Sequence, residues 1–242
     1  MQNVELLQFP NPDALAAAAA SAWLDEIEST SRSGRPYCVA LSGGRITEKF
    51  FLLTAEKGLA RKTPFEHVHF FWADERCVPP DDPESNFKLA DDLLFQPLGI
   101  SESQIYRLRG ELAPEAAVAQ ANEEIARVAP SENGQPILDL VHLGMGEDGH
   151  VASLFQNARL ETEKSANCNG PFIFVSDSPK PPPHRISLNF KAIAAARRVW
   201  ALVSGLGKEA ALKNTLNAEG KTSLGQVIKL RTNTKIFVDI RV

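Results

Sequence analysis

Short apolar runs that alternate with helix-patterned segments constrain the fold of this 242-residue chain more than any other feature. Strands are predicted at Val4–Phe9, Tyr37–Leu41, Val68–Trp72, Ile137–Leu143, Phe172–Ser176, Arg185–Leu188, Val199–Val203 and Lys235–Ile240. Helices are predicted at Asp13–Ser31, Ile46–Ala60, Ser85–Phe95, Pro114–Val128 and Lys208–Asn217. Strands rich in Val, Ile and Phe between helices imply βαβ units and a mostly parallel sheet covered on both faces. Pro12 and Pro114 stand where a first helical turn tolerates proline. There is no internal repeat and no heptad pattern. Ser131–Pro136 reads as a plain connector, SPKPPP at Ser178–Pro183 as a stiff surface segment, and Asn157–Gly170 as a long loop or flap. None of these separates regions of different composition, and α/β folds of this length are commonly one domain, so residues 1–242 are expected to form one.

Charge and cysteine content exclude several function classes. With 26 basic and 30 acidic residues the net charge is −4, so no basic footprint argues for nucleic acid. Any anionic ligand must be held by locally placed cations and backbone amides. The three cysteines, Cys38, Cys77 and Cys168, are widely spaced and odd in number, which fits a reducing cytosol and neither a disulfide framework nor a zinc site. MQNVELLQFP has no basic n-region, and the apolar run Ala14–Leu24 is too short to span a bilayer. The expectation is a cytoplasmic protein without a membrane partner. His67 and His69 share one strand face, but no third ligand is evident and no HExxH occurs, so neither a metal nor a cofactor is expected.

Four polar clusters follow predicted strands, where open α/β sheets bind ligands. The first is Ser42-Gly43-Gly44-Arg45 between a strand and a helix. Free N–H groups at a helix start form an anion site suited to phosphate, with Arg45 as a charged fork and Thr47 as a hydroxyl; the plainer alternative is an ordinary turn with Ser42 as cap. The second is Asp74-Glu75-Arg76, after the apolar strand ending in Trp72. Its carboxylates and guanidinium suit substrate hydroxyls and an anionic group, or a surface ion pair, with Ser85-Asn86 adding hydrogen-bonding groups. The third, DLVHLGMGEDGHVASLF from Asp139, carries His150 on a turn with Gly144, Gly146 and Gly149. An imidazole there suits proton transfer near neutrality. These glycines also satisfy G-x-G-x-x-G, a weak pattern here because no acidic residue ends the next strand at the right spacing. The fourth comprises His184-Arg185 and Lys208. A lysine at a helix start opposes the dipole unless an anion lies between them.

In this order the clusters resemble the 6-phosphogluconolactonase family: LSGG at Leu41–Gly44, WADERCVP at Trp72–Pro79, Ser85-Asn86, LGMGEDGHVASLF at Leu143–Phe155, RISLN at Arg185–Asn189 and GLGKEAAL at Gly205–Leu212. The resemblance implies an α/β, three-layer, doubly wound fold of the glucosamine-6-phosphate isomerase type. It also implies hydrolysis of 6-phospho-D-glucono-1,5-lactone by a monomer or weak homodimer. The related glucosamine-6-phosphate deaminases are expected to carry DEY rather than DER, and Asn-Glu-Pro where this chain reads Ser153-Leu154-Phe155. Two departures stand out: Arg45-Ile46-Thr47 replaces the hydroxyl pair common after the Gly-rich loop, and Gln156 replaces a proline.

The expected roles follow from what ester hydrolysis needs. His150 is the general base, kept neutral by a helix-like start or oriented by Asp148. Arg76 or backbone amides meet the oxyanion. Arg45, Arg185 and Lys208 hold phosphate with the Gly43-Gly44 amides. Asp74 and Glu75 take sugar hydroxyls or position Arg76, and Ser42, Ser85, Asn86, Gly144 and Gly146 complete the substrate site. An aminosugar-phosphate isomerase/deaminase and a non-catalytic sugar-phosphate sensor are the competing readings.

Overall fold

The computed structural model describes residues 4–132, 134–156, 170–217 and 220–241. Six parallel strands form the main sheet: β1 (Val4–Gln8), β2 (Tyr37–Leu41), β3 (Val68–Trp72), β7 (Leu140–Gly144), β10 (Arg198–Val203) and β11 (Thr234–Val238), in the order β1-β11-β10-β7-β2-β3. The chain runs one way across the sheet through β1, β2 and β3, and the other way through β7, β10 and β11. Right-handed crossovers therefore place α1 (Pro12–Ser31) and α2 (Arg45–Arg61) on one face, where they pack on each other, and α7 (Glu209–Leu216) and α8 (Ser223–Leu230) on the opposite face. This is the mostly parallel, helix-covered sheet that the alternation implied, wound as the family resemblance implied, and β2 is buried along its whole length.

Local chemistry sets the helix limits. The Asn11 side chain accepts from the Ala14 amide at 2.8 Å with Pro12 in the first turn, which starts α1. Its inner face, Leu15, Ala16, Ala19, Ala20, Trp23, Leu24 and Ile27, recurs at helical spacing and is buried. Small alanines there let α1 lie close to the sheet. Lys62, in the left-handed region at φ 55°, ends α2.

Two strands expected in the main sheet are not there. β8 (Phe172–Val175) and β9 (Arg185–Leu188) pair with β4 (Asp74–Arg76) in a separate antiparallel sheet of order β4-β9-β8. The Asp-Glu-Arg triplet is therefore strand, not strand tip, and α5 (Pro114–Val128) packs against β8. A single hydrophobic core runs through both sheets, including Trp72 and Phe71 from one and Ile173, Ile186 and Leu188 from the other.

Other elements were not anticipated. The connector 131–136 holds a two-residue hairpin, β5 (Ser131–Glu132) with β6 (Gln135–Pro136). The predicted helix Ser85–Phe95 is α3 (Asn86–Ala90) followed by a π-helical turn at Asp91–Phe95 and a short α4 (Gln96–Leu98). α6 (Phe190–Ala195) and α8 carry too few residues for a periodic signal, and Gly225 lies inside α8. The loop expected at Asn157–Gly170, with Cys168, falls almost wholly outside the described residues. No helix among the described residues is long and apolar enough to cross a membrane.

Candidate active site

At the end of β2, Ser42 turns inward and donates its hydroxyl to the carbonyl of His142 on β7, 2.7 Å away, which fixes the mouth of the turn. Gly43 then passes against Asn86. A Cβ at position 43 would lie 1.9 Å from Asn86 Oδ1, so only glycine admits this approach. The 17-residue helix α2 begins at Arg45 without a side-chain cap. The amides of Arg45 and Ile46 have no hydrogen-bond partner among the described residues, while those of Thr47 and Glu48 turn back to the Gly44 carbonyl. Open amides at the positive end of a helix dipole attract an anion. Thr47 does not share in this, because its hydroxyl donates to the Gly43 carbonyl at 3.1 Å, away from the cleft.

The Lys208 ammonium approaches from β10. Burial, then the charge of Arg45, holds it below the ordinary lysine value, and Lys180 acts in the same direction. The loop that carries it is anchored by Asp239, which accepts from the Ser204 hydroxyl at 2.6 Å and the Gly205 amide at 3.3 Å. Three cations thus crowd one place, an arrangement that an anion between them would stabilise. The dipole conflict foreseen at Lys208 is present, since this residue caps α7.

β7 delivers the histidine turn. The amide of Gly146 donates to the His150 carbonyl at 2.9 Å and that of Gly149 to the Gly146 carbonyl at 3.0 Å. A Cβ on Gly146 would fall 2.1 Å from the His150 ring, so glycine makes room for the imidazole. Asp148 Oδ1 lies 2.5 Å from His150 Nδ1 and also accepts from the His150 amide at 3.3 Å. When Nδ1–H donates to this carboxylate, Nε2 carries the lone pair and can accept a proton. The ring rests on Phe155, centroids 4.3 Å apart. Burial pulls the His150 imidazole below the ordinary histidine value, and the Asp148 carboxylate offsets this only in part. The expected helix-like start is not the cause. No helix begins within the described residues 151–156; Val151 and Leu154 instead form an isolated bridge, and Ala152 between them has φ 48°.

The register of β4 against β9 sets Asp74 opposite Ser187 and Arg76 opposite Arg185. Strand alternation sends Asp74 and Arg76 to the cleft and Glu75 away from it. Glu75 is a correction to the sequence reading. Its buried carboxylate accepts from the amides of Arg76 (2.7 Å), Asn86 (2.8 Å) and Phe87 (2.7 Å) and from the Ser85 hydroxyl (3.1 Å), and none of it reaches the cleft. Burial pushes it up to about 7 despite these donors. Ser85 is also withdrawn, serving Glu75 and capping α3. Arg76 gives Nη1 to the Glu84 carbonyl and, at 3.4 Å, to Glu84 Oε2. Its Nε is buried and has no partner among the described residues. Arg185 lines the cleft, yet Nε and Nη2 go to the carbonyls of Pro182, Lys180 and Pro181, each at 3.1 Å. Its main work is to brace the proline-rich segment, which presents Lys180 to the cleft. His184 lies tilted against Phe174, ring centroids 5.5 Å apart, and does not line the cleft.

One cleft of about 430 Å³ is lined by Ser42, Gly43, Gly44, Arg45, Asp74, Arg76, Asn86, Gly144, Gly146, His150, Arg185 and Lys208. Asp148 stands behind His150 and does not line it. Sequence reasoning missed Lys49, Glu147, Lys180 and Ser204, which also line the cleft. Lys180 had a signal, a lone cation within a stiff proline run; the others had none. No cluster of His, Cys, Asp and Glu suited to a metal occurs among the described residues.

Fold and site define an α/β protein whose doubly wound sheet joins an anion grip to a carboxylate-oriented histidine. Residues 10–234 match the profile of the family described as glucosamine-6-phosphate isomerases/6-phosphogluconolactonase, and the chain belongs to that family. A 6-phosphogluconolactonase of Treponema pallidum is 34% identical over 80% of this chain and 78% of its own length. The crystal structure of 6-phosphogluconolactonase from Thermotoga maritima superposes with TM-score 0.80 at 28% identity, covering 98% of this chain and 99% of that one. A monomeric glucosamine-6-phosphate deaminase shares the fold, with TM-score 0.77 at 17% identity over 97% of each chain. The fold therefore does not separate lactonase from deaminase; the site must.

Proposed function

We propose that this protein is a 6-phosphogluconolactonase, hydrolysing 6-phospho-D-glucono-1,5-lactone to 6-phospho-D-gluconate in the oxidative pentose phosphate pathway. The observation that carries this is the meeting, in one cleft, of the neutral His150 imidazole with Arg76 and with the Arg45–Lys208–Lys180 cations. The phosphate lies against the first-turn amides of α2 and these cations. His150 Nε2 removes a proton from water as it attacks the lactone carbonyl, and Asp148 holds the ring and stabilises the imidazolium. Arg76 meets the developing oxyanion. Asp74 and Asn86 take ring hydroxyls. Base catalysis gives about 10²–10⁴-fold and one oxyanion donor about 10²–10³-fold, which together suit a lactone that also opens unaided.

The reading places the enzyme in the cytoplasm, acting as a monomer or weak homodimer with residues 1–242 as one domain. The test is a pH-stat assay on freshly generated lactone, corrected for spontaneous hydrolysis. Release of ammonia from glucosamine 6-phosphate, with no acceleration of lactone opening, would replace this reading with the deaminase.

A further inference from the structure

We propose that Ser153 is a positioning residue that acts through Asp74, fixing the direction in which this carboxylate meets bound substrate. The proposal rests on the lactonase reading and assigns a role to a side chain that never touches the cleft. Ser153 is fully buried and donates its hydroxyl to Asp74 Oδ2 at 2.6 Å across 79 positions of sequence. Its amide donates to the Ser187 hydroxyl at 3.3 Å, and Ser187 is the residue paired with Asp74 between β4 and β9. The serine is therefore held by the same strand pair that carries its target.

Asp74 is itself fixed at the main chain, where its carbonyl accepts from Asn86 Nδ2 at 2.9 Å. With Oδ2 committed to Ser153, no donor among the described residues meets Oδ1, and Asp74 lines the cleft. A free carboxylate rotates and can accept from either side. One with a single oxygen tied down presents one acceptor in one direction, which suits selection of one hydroxyl on a polyhydroxylated ring. The same hydrogen bond ties the histidine turn to β4, because Ser153 follows His150 by three residues through the left-handed Ala152. It thus sets the offset between the base and the hydroxyl acceptor. Ser153 is not a nucleophile, since its proton goes to a carboxylate and its oxygen is sealed from the cleft.

The test is a double-mutant cycle of Ser153→Ala and Asp74→Ala, read by steady-state kinetics on the lactone and by calorimetric affinity for the stable product 6-phosphogluconate. Ser153→Ala is expected to raise KM about ten- to a hundredfold, as loss of a hydrogen bond to a charged group does, with kcat changed less than about threefold. In the Asp74→Ala background the same change should move KM less than about twofold, because the serine has lost its target. Additive effects, or an unchanged KM in Ser153→Ala, would overturn the proposal. If Ser153→Ala does not fold by thermal melting, Ser153→Cys, whose thiol is only a weak donor, carries the same cycle: KM should rise by a smaller factor that disappears in the Asp74→Ala background, and an unchanged or additive KM would overturn the proposal. Wild-type protein inert toward the lactone would defeat the functional reading instead, while the product-affinity cycle would still report whether Ser153 and Asp74 are coupled.

Discussion

The two walls of the cleft are built by different means. The wall from the main sheet consists of three turns that follow parallel strands: Ser42–Arg45 after β2, Gly144–His150 after β7 and Ser204–Lys208 after β10. Each supplies backbone amides, a cation or a ring from a few consecutive residues, and each is shaped mainly by bonds within its own turn or to the next strand. The wall from the small antiparallel sheet supplies Asp74, Arg76 and Arg185, which are brought together by the pairing of β4 with β9, and the Asp74 carboxylate is held by Ser153, 79 positions away. An anion can be gripped by local geometry, because helix starts recur in any such sheet. Orienting single oxygen atoms on a sugar ring requires tertiary hydrogen bonds.

The sharpest way to break this contrast is His150→Ala, expected to lower kcat by about 10²–10⁴-fold with little change in KM or thermal midpoint; an unchanged rate in the corrected pH-stat assay would remove the base from the main-sheet wall. Next comes Lys208→Ala. It should raise KM roughly ten- to a hundredfold, the scale of a charged hydrogen bond, while Thr47→Ala leaves KM as it was because that hydroxyl faces the Gly43 carbonyl. Equal effects of the two would mean that the loop hydroxyl shares the phosphate with the cation.

A pH profile tests how the base is tuned. Activity requires the neutral imidazole, so kcat/KM is lost as pH falls through a value that burial sets below the ordinary 6.5. The Asp148 carboxylate raises that value, so Asp148→Asn should move the acid limb to still lower pH while reducing the rate through loss of ring orientation. A limb that moves upward would show that the Asp148 carboxylate does not raise the His150 value. On the small-sheet wall, Glu75→Gln puts an amide donor among four donors. It should cost about 1–3 kcal/mol of stability, or several degrees in a thermal melt, and a melt identical to wild type would mean that Glu75 does not hold β4 to α3.

The sequence was informative where a signal is local. β2, β3 and β10 read as strands because they are continuous apolar runs, and Gly43, Gly146, His150 and Lys208 were legible because glycine, histidine and a misplaced lysine each stand out within a turn. The triplet Asp74-Glu75-Arg76 was legible as functional but not in its parts. Which of two adjacent carboxylates faces substrate depends on pairing with β9, some 110 residues away, and the apolar pattern of β8 and β9 does not say which sheet they join. Arg185 was read as a phosphate ligand because cations near a cleft usually serve anions, yet its guanidinium braces the segment that offers Lys180. For the tuning of His150 the sequence offers a helix-like start or Asp148; burial, a property of the whole fold, is what lowers it, with Asp148 opposing.

Apolar periodicity and Gly-rich turns, read along the chain alone, determined a mostly parallel, helix-covered sheet, the position of its Gly-rich turns and the histidine that one of them carries, because those features depend on neighbours within a few residues. Only the tertiary structure decided that Asp74 faces the cleft, that Glu75 lies beneath it, and that Ser153 links β4 to the histidine turn. Each of those outcomes depends on which distant donor meets which oxygen, and that is fixed only once the two sheets have packed.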